Sequence, residues 1–431
     1  MKEMKMDTTR AQPIYKKNRG QYYWSTFQEW VKDSLMFYPI LFMLGAILLV
    51  WITREIDIRL ITNDDLSDWW VARSAIVVTI SSSISSSVLS LLAIGFSISL
   101  VAIQMANQQY SPRVTSIVLR STPIKIALSI IIAAFVYSFL LMIEVLRSPR
   151  EEVTIVSLIT SIVMIFACLL AFLYFIKSVL LLIKLTNIIS FIDKSTQMSI
   201  DDNYPHEEGY TECQAVPLDQ PIQVISYACL SGNYFDKRVE NGVLRGLEFG
   251  DLVDLANHYR SVIRVLPQFG DFVNQGDPVV EVYGESKIPT KLVLEAIYVE
   301  PERGIYQDPG YGIRMLVDIA LQALSPAVNA PTTAHQVILR LTNLLSKIAE
   351  RPPHPGAFAD EEGQMRLLNN QINWDQFVDL TYNEIIHYGW EDPQTRKSLT
   401  ASFDYLLVRV PESLRPPLEQ QKTLLLSSKV S

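Results

Sequence analysis

Up to about residue 185 the chain is a succession of long apolar runs, and beyond it short apolar stretches alternate with turns, prolines and charges. Four runs are long enough to cross a hydrocarbon core of about 30 Å as helices. They cover about Leu35–Ile52, Ala75–Tyr110, Ile124–Ile143 and Val153–Ile183. Trp30 and Trp51 flank the first, where amphipathic rings suit the membrane interface. The second and fourth are longer than the core is thick, so each predicts a helix that continues past the bilayer.

The second run carries an unusual load of serine: Thr79–Arg113 reads TISSSISSSVLSLLAIGFSISLVAIQMANQQYSPR. Wound at about 100° per residue, it gathers Thr79, Ser83, Ser86, Ser87, Ser90, Ser97, Gln104 and Gln108 into an arc of about 100°. Ile94 and Val101 alone interrupt that stripe. A polar stripe on a spanning helix must face protein or water. Small residues can let helices approach closely and hydrogen-bond in a bundle. The same face can instead line a water-filled path, with Ile94 and Val101 as constrictions that gate by dewetting. As a third reading, Ser81–Ser87 can unwind and bind an ion through backbone carbonyls. With four spans per chain, a pore needs several subunits around an axis, which predicts a homo-oligomer.

Basic residues predict the orientation. Lys2, Lys5, Arg10, Lys16, Lys17, Arg19 and Lys32 precede the first span, and Arg113, Arg120 and Lys125 follow the second with no acid among them. The connection 53–74 holds Glu55, Asp57, Asp64, Asp65 and Asp68 against three arginines, and the third connection has Glu144, Glu151 and Glu152. Both termini are therefore expected in the cytoplasm, with the acidic loops outside. The leader is too long and irregular for a cleavable signal peptide.

After residue 185 the pattern predicts an α+β domain. Asp201–Pro221 reads as a polar linker. Strand-like runs fall at Gln223–Ala228, Ser261–Pro267 and Val279–Val282, with a helical pattern over Glu240–His258. Gly270 and Gly276, six apart around Val273, suit a sharp β-turn at the edge of a small barrel, similar in shape to the turn of biotinyl/lipoyl-type domains without their modified lysine. Helices are predicted at about Gly310–Leu324, Thr332–Ala349 (capped by Thr332 or Thr333), Trp374–Tyr388, Pro393–Val408 and Ser413–Ser427. The expected divisions are an N-terminal tail (1–34), a transmembrane domain (35–190), a β-rich subdomain (191–290) and a helical subdomain (291–431).

Composition adds exclusions. Of 431 residues, 49% are hydrophobic and 19% charged, as suits a chain part membrane and part soluble. A net charge of −8 with no basic stripe argues against nucleic acid. Cys168, Cys213 and Cys229 form no CxxC, so neither a disulfide framework nor a zinc ribbon is predicted. No P-loop, GxGxxG, HExxH or GxSxG motif is present, and no catalytic residue, metal site or cofactor is predicted. A hydrolytic or metal site would have to gather Asp308, Asp318 and His335; the simpler expectation is a turn, an ion pair and a packing histidine. Asp360, Glu361 and Glu362 read as a solvated loop. Gln307, Asp308, Asp318, Asn329 and Thr332, near helix N-termini, are candidates for a rigid corner or for sensing a small ligand or anion. Arg113 is a candidate interfacial anchor or coupling residue.

The serine-rich span ending in Ser-Pro-Arg, followed in order by GDFVNQGDPVVEV, YQDPGYGIRMLVDIALQALSP and VNAPTTA, resembles the bacterial "domain of unknown function 2254" family of predicted membrane proteins. The resemblance covers nearly the whole chain. It implies four spans, a cytoplasmic C-terminal region and an inner-membrane location, and no activity. Where the family commonly reads Asn-Asp-Pro, this chain has Asn329-Ala330-Pro331. The reading that results is an oligomeric channel or transporter for an ion or small solute, lined by Ser83, Ser86, Ser87, Ser90, Ile94, Ser97, Val101, Gln104 and Gln108 and regulated by its soluble domain. The alternative is a non-conducting sensor or scaffold whose soluble domain recruits a partner.

Overall fold

The computed structural model describes residues 8–13, 34, 36–61, 71–109, 122–147, 152–204, 211–214, 220–230, 238–351 and 356–427. The chain divides into two units, one of residues 25–188 and one that joins residues 1–24 to 189–431.

The first unit is four long helices: α1 (Phe37–Ile61), α2 (Ser74–Gln109), α3 (Thr122–Arg147) and α4 (Ile155–Ile183). Each contains a segment long and apolar enough to cross a membrane: Phe37–Arg59, Ala75–Gln104, Thr122–Arg147 and Val156–Leu181. Helix α3 packs against each of the other three, and its buried residues Ala127, Ile131, Ala134, Tyr137, Leu141 and Val145 recur every three or four positions. The other helices turn Leu, Ile and Phe outward, as lipid-facing surfaces require. A short ribbon of β2 (Val71–Arg73) and β3 (Glu152–Thr154) joins the entries to α2 and α4. The polar connection expected from residue 53 begins later than the charges suggest. Arg54, Glu55, Asp57 and Arg59 lie within α1, where Arg54 pairs with Glu144 and Arg59 with Glu55.

The second unit is α+β. Its N-terminal strand β1 (Thr8–Pro13) pairs with β4 (Thr211–Gln214) and β11 (Ala357–Ala359) in a seven-stranded mixed sheet of order β4-β1-β11-β12-β7-β9-β5. The other members are β5 (Gln223–Ser226), β7 (Ser261–Val265), β9 (Pro278–Gly284) and β12 (Met365–Asn369). β4 falls inside the expected linker. A second sheet has the order β10-β6-β8, from β6 (Gly242–Leu247), β8 (Phe272–Val273) and β10 (Ile297–Glu300). Among the described residues both sheets are open and no closed barrel forms. One apolar core holds β5 to β12 together with α6 (Phe249–His258) and α7 (Thr290–Glu295). The helical pattern over 240–258 therefore splits into a strand and a shorter helix. Its first half buries Leu244 and Leu247 in the sheet, a spacing that also fits a helix face. Gly270 (φ 88°) and Gly276 (φ 93°) adopt the left-handed backbone on either side of β8, and Val273 points into the core.

The remaining helices are α5 (Leu185–Asn203), α8 (Pro309–Leu324), α9 (Pro331–Ala349), α10 (Trp374–Gly389), α11 (Pro393–Arg409) and α12 (Arg415–Ser427). Asn373 and Gln376 form a capping box at α10. Tyr382 on α10 reaches Ser402 on α11, which bonds Thr342 on α9 at 2.6 Å. Burial pushes that phenol up to about 12.

Candidate functional site

The α2 stripe lies on one open face. Ser83, Ser86, Ser87, Ser90, Ile94, Ser97, Val101 and Gln104 are all exposed, while Val77, Ile84, Val88 and Leu92 on the opposite face are buried against the bundle. Within a single chain the stripe is thus left uncovered by α1, α3 and α4. Each stripe hydroxyl donates to the carbonyl four residues back: Ser83 to Thr79 (2.8 Å), Ser86 to Ser82 (2.9 Å), Ser87 to Ser83 (2.8 Å), Ser90 to Ser86 (3.0 Å) and Ser97 to Ala93 (2.9 Å). Back-bonding satisfies the hydroxyl proton and leaves the oxygen lone pairs outward. The face therefore offers a row of acceptors and, at Gln104, one amide. Gln108 belongs to α2, and nothing further is described of its side chain; Arg113 lies outside the described residues.

Sequence reasoning placed Asp57 in a loop. It is instead buried in α1, where Ser157 on α4 donates to its carboxylate. Tyr137 on α3 bonds Thr53 (3.3 Å) and the Ser157 carbonyl (3.4 Å), so one polar network ties α1, α3 and α4.

In the α+β unit the candidate residues take separate partners. Gln307 pairs both amide atoms with the backbone of Leu247, each at 2.9 Å, and so extends the edge of β6. Asp308 caps α8 through the Tyr311 N–H (3.0 Å) and holds Arg303 by two bonds, 3.0 and 2.6 Å. Burial pushes the Asp308 carboxyl up, against the pull of Arg303 and the Tyr311 N–H. Arg303 also reaches the Phe269 carbonyl (3.5 Å) and occupies the space a side chain at Gly270 would need. Asp318 accepts from Arg314 (2.9 Å), which also binds Glu384. His335 Nδ1 bonds Ser398 Oγ (2.7 Å); because that hydroxyl donates to the Gln394 carbonyl, the imidazole is the donor. Asp308, Asp318 and His335 are thus each engaged elsewhere. Asn329 has a left-handed backbone (φ 45°), and Thr332 is exposed in the first turn of α9. The cap of α9 is Ala330 rather than either threonine. Asp360 is also corrected: it is buried and accepts from Arg366 (2.7 Å) and from the backbone of Glu362 and Gln364 (3.0 and 2.9 Å). It builds the turn into β12, while Glu361 and Glu362 are exposed.

Helix α5 follows α4 after the single residue Lys184 and is clamped within the α+β unit. Asp193 pairs with Arg340 at 3.0 Å, and Asp201 with Lys347 at 2.6 Å and with Arg351. Arg351 also binds the carbonyls of Ile200 and Tyr204 at the C-terminal end of α5. Burial works to raise the Asp201 carboxyl, but Lys347 and Arg351 outweigh it and hold it below the usual value.

Four apolar helices with a polar face on one of them, joined through α5 to an α+β unit, define a multi-span membrane protein. The chain belongs to the family described as "Predicted membrane protein (DUF2254)", which residues 32–404 match. It is 24% identical over 319 residues to uncharacterised proteins of Mycobacterium bovis and Mycobacterium tuberculosis, an alignment covering 72% of this chain. The match spans 60% of those relatives' own length. No solved structure matches the chain.

Proposed function

We propose that several copies of this chain assemble in the bacterial inner membrane around their α2 helices, whose serine faces line a path for an ion or small solute. The observation that carries this reading is the outward stripe. Seven polar residues from Thr79 to Gln104 share the one face of α2 that none of the described helices of the same chain covers. Lipid is a poor neighbour for that row of oxygens and the Gln104 amide, whereas water or a second copy satisfies them. Exposed Ile94 and Val101 on this face form the narrow apolar rings at which such a path closes.

Regulation enters through α5. The chain passes from the fourth span into α5 across one residue, and α5 is fixed by Asp193–Arg340 and Asp201–Arg351. Movement of the α+β unit therefore reaches α4 through the covalent chain. The basic leader and the acid-free stretch after the second span support a cytoplasmic position for both termini. The back-bonded hydroxyls also suit close packing between copies, which favours a non-conducting sensor or scaffold as the second reading.

The test is ion flux through purified full-length protein in liposomes, beside Ser87→Trp. Ser87 is exposed, so tryptophan there leaves the chain's own bundle intact. Flux that the variant abolishes, with unchanged oligomer size, is the expected outcome. Absence of flux under every potential, osmotic and pH condition favours the scaffold.

A further inference from the structure

The buried face of α2 tells a different story from the exposed one. Ser81 and Ser85 on α2, Ser138 on α3 and Ser161 on α4 are all buried, and none of their hydroxyls has a hydrogen-bond partner. This is not the habit of serine in these helices. Every stripe serine bonds its own helix, and so does buried Ser129 on α3, which donates to the Lys125 carbonyl at 2.6 Å. Ser81, Ser138 and Ser161 also fall near one level by their chain positions relative to the apolar clusters. Val77 packs in one apolar cluster with Tyr137 and Leu141; Ile84 packs in the next with Ala134 and Cys168; Met164 packs against both. Ser81 lies between Val77 and Ile84, Ser138 between Ala134 and Leu141, and Ser161 one turn before Met164. Ser85 follows Ser81 by one turn on the same face. Three helices thus bury unpartnered oxygens near the level of Met164, where the two apolar clusters meet.

A carboxylate lies one helical turn further along α4. Ser161 is one turn from Ser157, which donates to Asp57, and Ser138 is next to Tyr137, which bonds the Ser157 carbonyl. Asp57 is only 6% exposed within a candidate span.

We infer that Ser81, Ser138 and Ser161, with the Asp57 carboxylate, form a binding site for a monovalent alkali cation such as sodium inside the four-helix bundle. Hydroxyl and carboxylate oxygens are hard ligands, which suit alkali and alkaline-earth ions over softer metals. One carboxylate balances a single positive charge, whereas a divalent ion would leave charge uncompensated in a medium that does not tolerate it. The neighbouring carboxylate repels an anion. A bound cation gives the hydroxyl lone pairs the partner their own helices do not supply. The site lies on the face of α2 opposite the stripe, so it stands whether or not the stripe conducts.

The experiment is binding of radiolabelled sodium to purified full-length protein in detergent, beside thermal unfolding in sodium chloride and in choline chloride at equal ionic strength. Saturable binding is expected, together with a higher unfolding midpoint in sodium than in choline. Both should weaken about tenfold or more in Ser138→Ala and Ser161→Ala and be lost in Asp57→Asn. Ser129→Ala, at a buried serine whose hydroxyl bonds its own helix, should keep both. If Asp57→Asn fails to fold, the two alanine variants, each removing one oxygen, still decide. No saturable binding by the native protein overturns the inference. So does binding that survives both alanine substitutions. Loss of flux in Ser87→Trp with sodium binding retained separates this site from the proposed path.

Discussion

Ala330 sits at the N-cap of α9 and offers no side-chain acceptor to the first turn, while Pro331 starts the helix. Its backbone (φ −119°, ψ 70°) is non-helical, as an N-cap residue's is. An aspartate here, the residue the resembled family commonly carries, would accept from the Thr332 or Thr333 N–H. That explains the carboxylate as a helix cap without any chemistry. Ala330→Asp should stabilise the α+β unit by about 1 kcal/mol, raising its unfolding midpoint by about 2–4 °C; Ala330→Leu should give no gain. Differential scanning calorimetry of the full chain measures both, and a midpoint unchanged by aspartate would remove the capping account. The sequence made the departure at 330 visible, but it pointed to Thr332 or Thr333 as the cap. Pro331 decides against them, because its fixed φ and missing N–H suit the first helical position. Asp360 misled for a related reason. Three consecutive acids look solvated, yet only the first points inward, where Arg366 and two backbone N–H groups receive it.

Between elements, the closest approach bearing on function is that of α8 to α5. A Cβ at Gly312 would run into the Thr196 hydroxyl, whose position is fixed by its bond to the Ile192 carbonyl (2.7 Å). Ser199 and Asn203 on the same helix bind the Tyr306 carbonyl just before α8, at 3.0 and 2.8 Å. The glycine thus lets α8 seat α5, the helix that carries the chain in from the fourth span. Gly312→Ala should cost about 1–3 kcal/mol, and Thr196→Ala in the same chain should recover much of it. Chemical denaturation followed by circular dichroism reads the cycle; equal losses with and without Thr196→Ala would sink the contact as the cause. Most of these helices are legible in the sequence: α8 to α12 begin and end within one or two residues of their pattern, because proline, Asp308, Asn373 and Asp392 mark their starts. β6 is not, since Leu244 and Leu247 serve a helix face as well as a bulged strand, and only pairing with β8 and β10 decides. The unpartnered serines escape for another reason. Winding α2 picks out the side where polar residues accumulate, and Ser81 and Ser85 lie on the other side among Val77, Ile84 and Val88. Their significance depends on Ser138 and Ser161, which are 53 or more residues away in the chain.

For the whole molecule, two strand pairings constrain how the spans are threaded. β1 precedes the first span, and its partners β4 and β11 follow the fourth, so both ends of the membrane unit must emerge on one side. β2 and β3 belong to the first and third connections, which must likewise share a side. An even number of spans with alternating directions meets both conditions, and an odd number would leave β1 across the membrane from β4 and β11. Under the proposed orientation the leader and the connection after α2, rich in lysine or arginine, face the cytoplasm, and the first and third connections, with Asp64, Asp65, Asp68, Glu151 and Glu152, face outside. Single cysteines at Asp64 and Ser148 should therefore react with an impermeant thiol reagent added outside intact cells. Cysteines at Ser116 and Ser431 should react only after the cells are opened, in a background with Cys168, Cys213 and Cys229 replaced by alanine. Labelling of all four from outside would indicate a leaky preparation, which a cytoplasmic control protein detects. Labelling of Ser116→Cys from outside with Asp64→Cys protected would invert the arrangement, placing the α+β unit and its clamp on α5 outside the cell. Regulation of the span would then answer to extracellular rather than cytoplasmic conditions, while the serine face of α2 would stay on the outside of the chain's own bundle and the proposed cation site inside it.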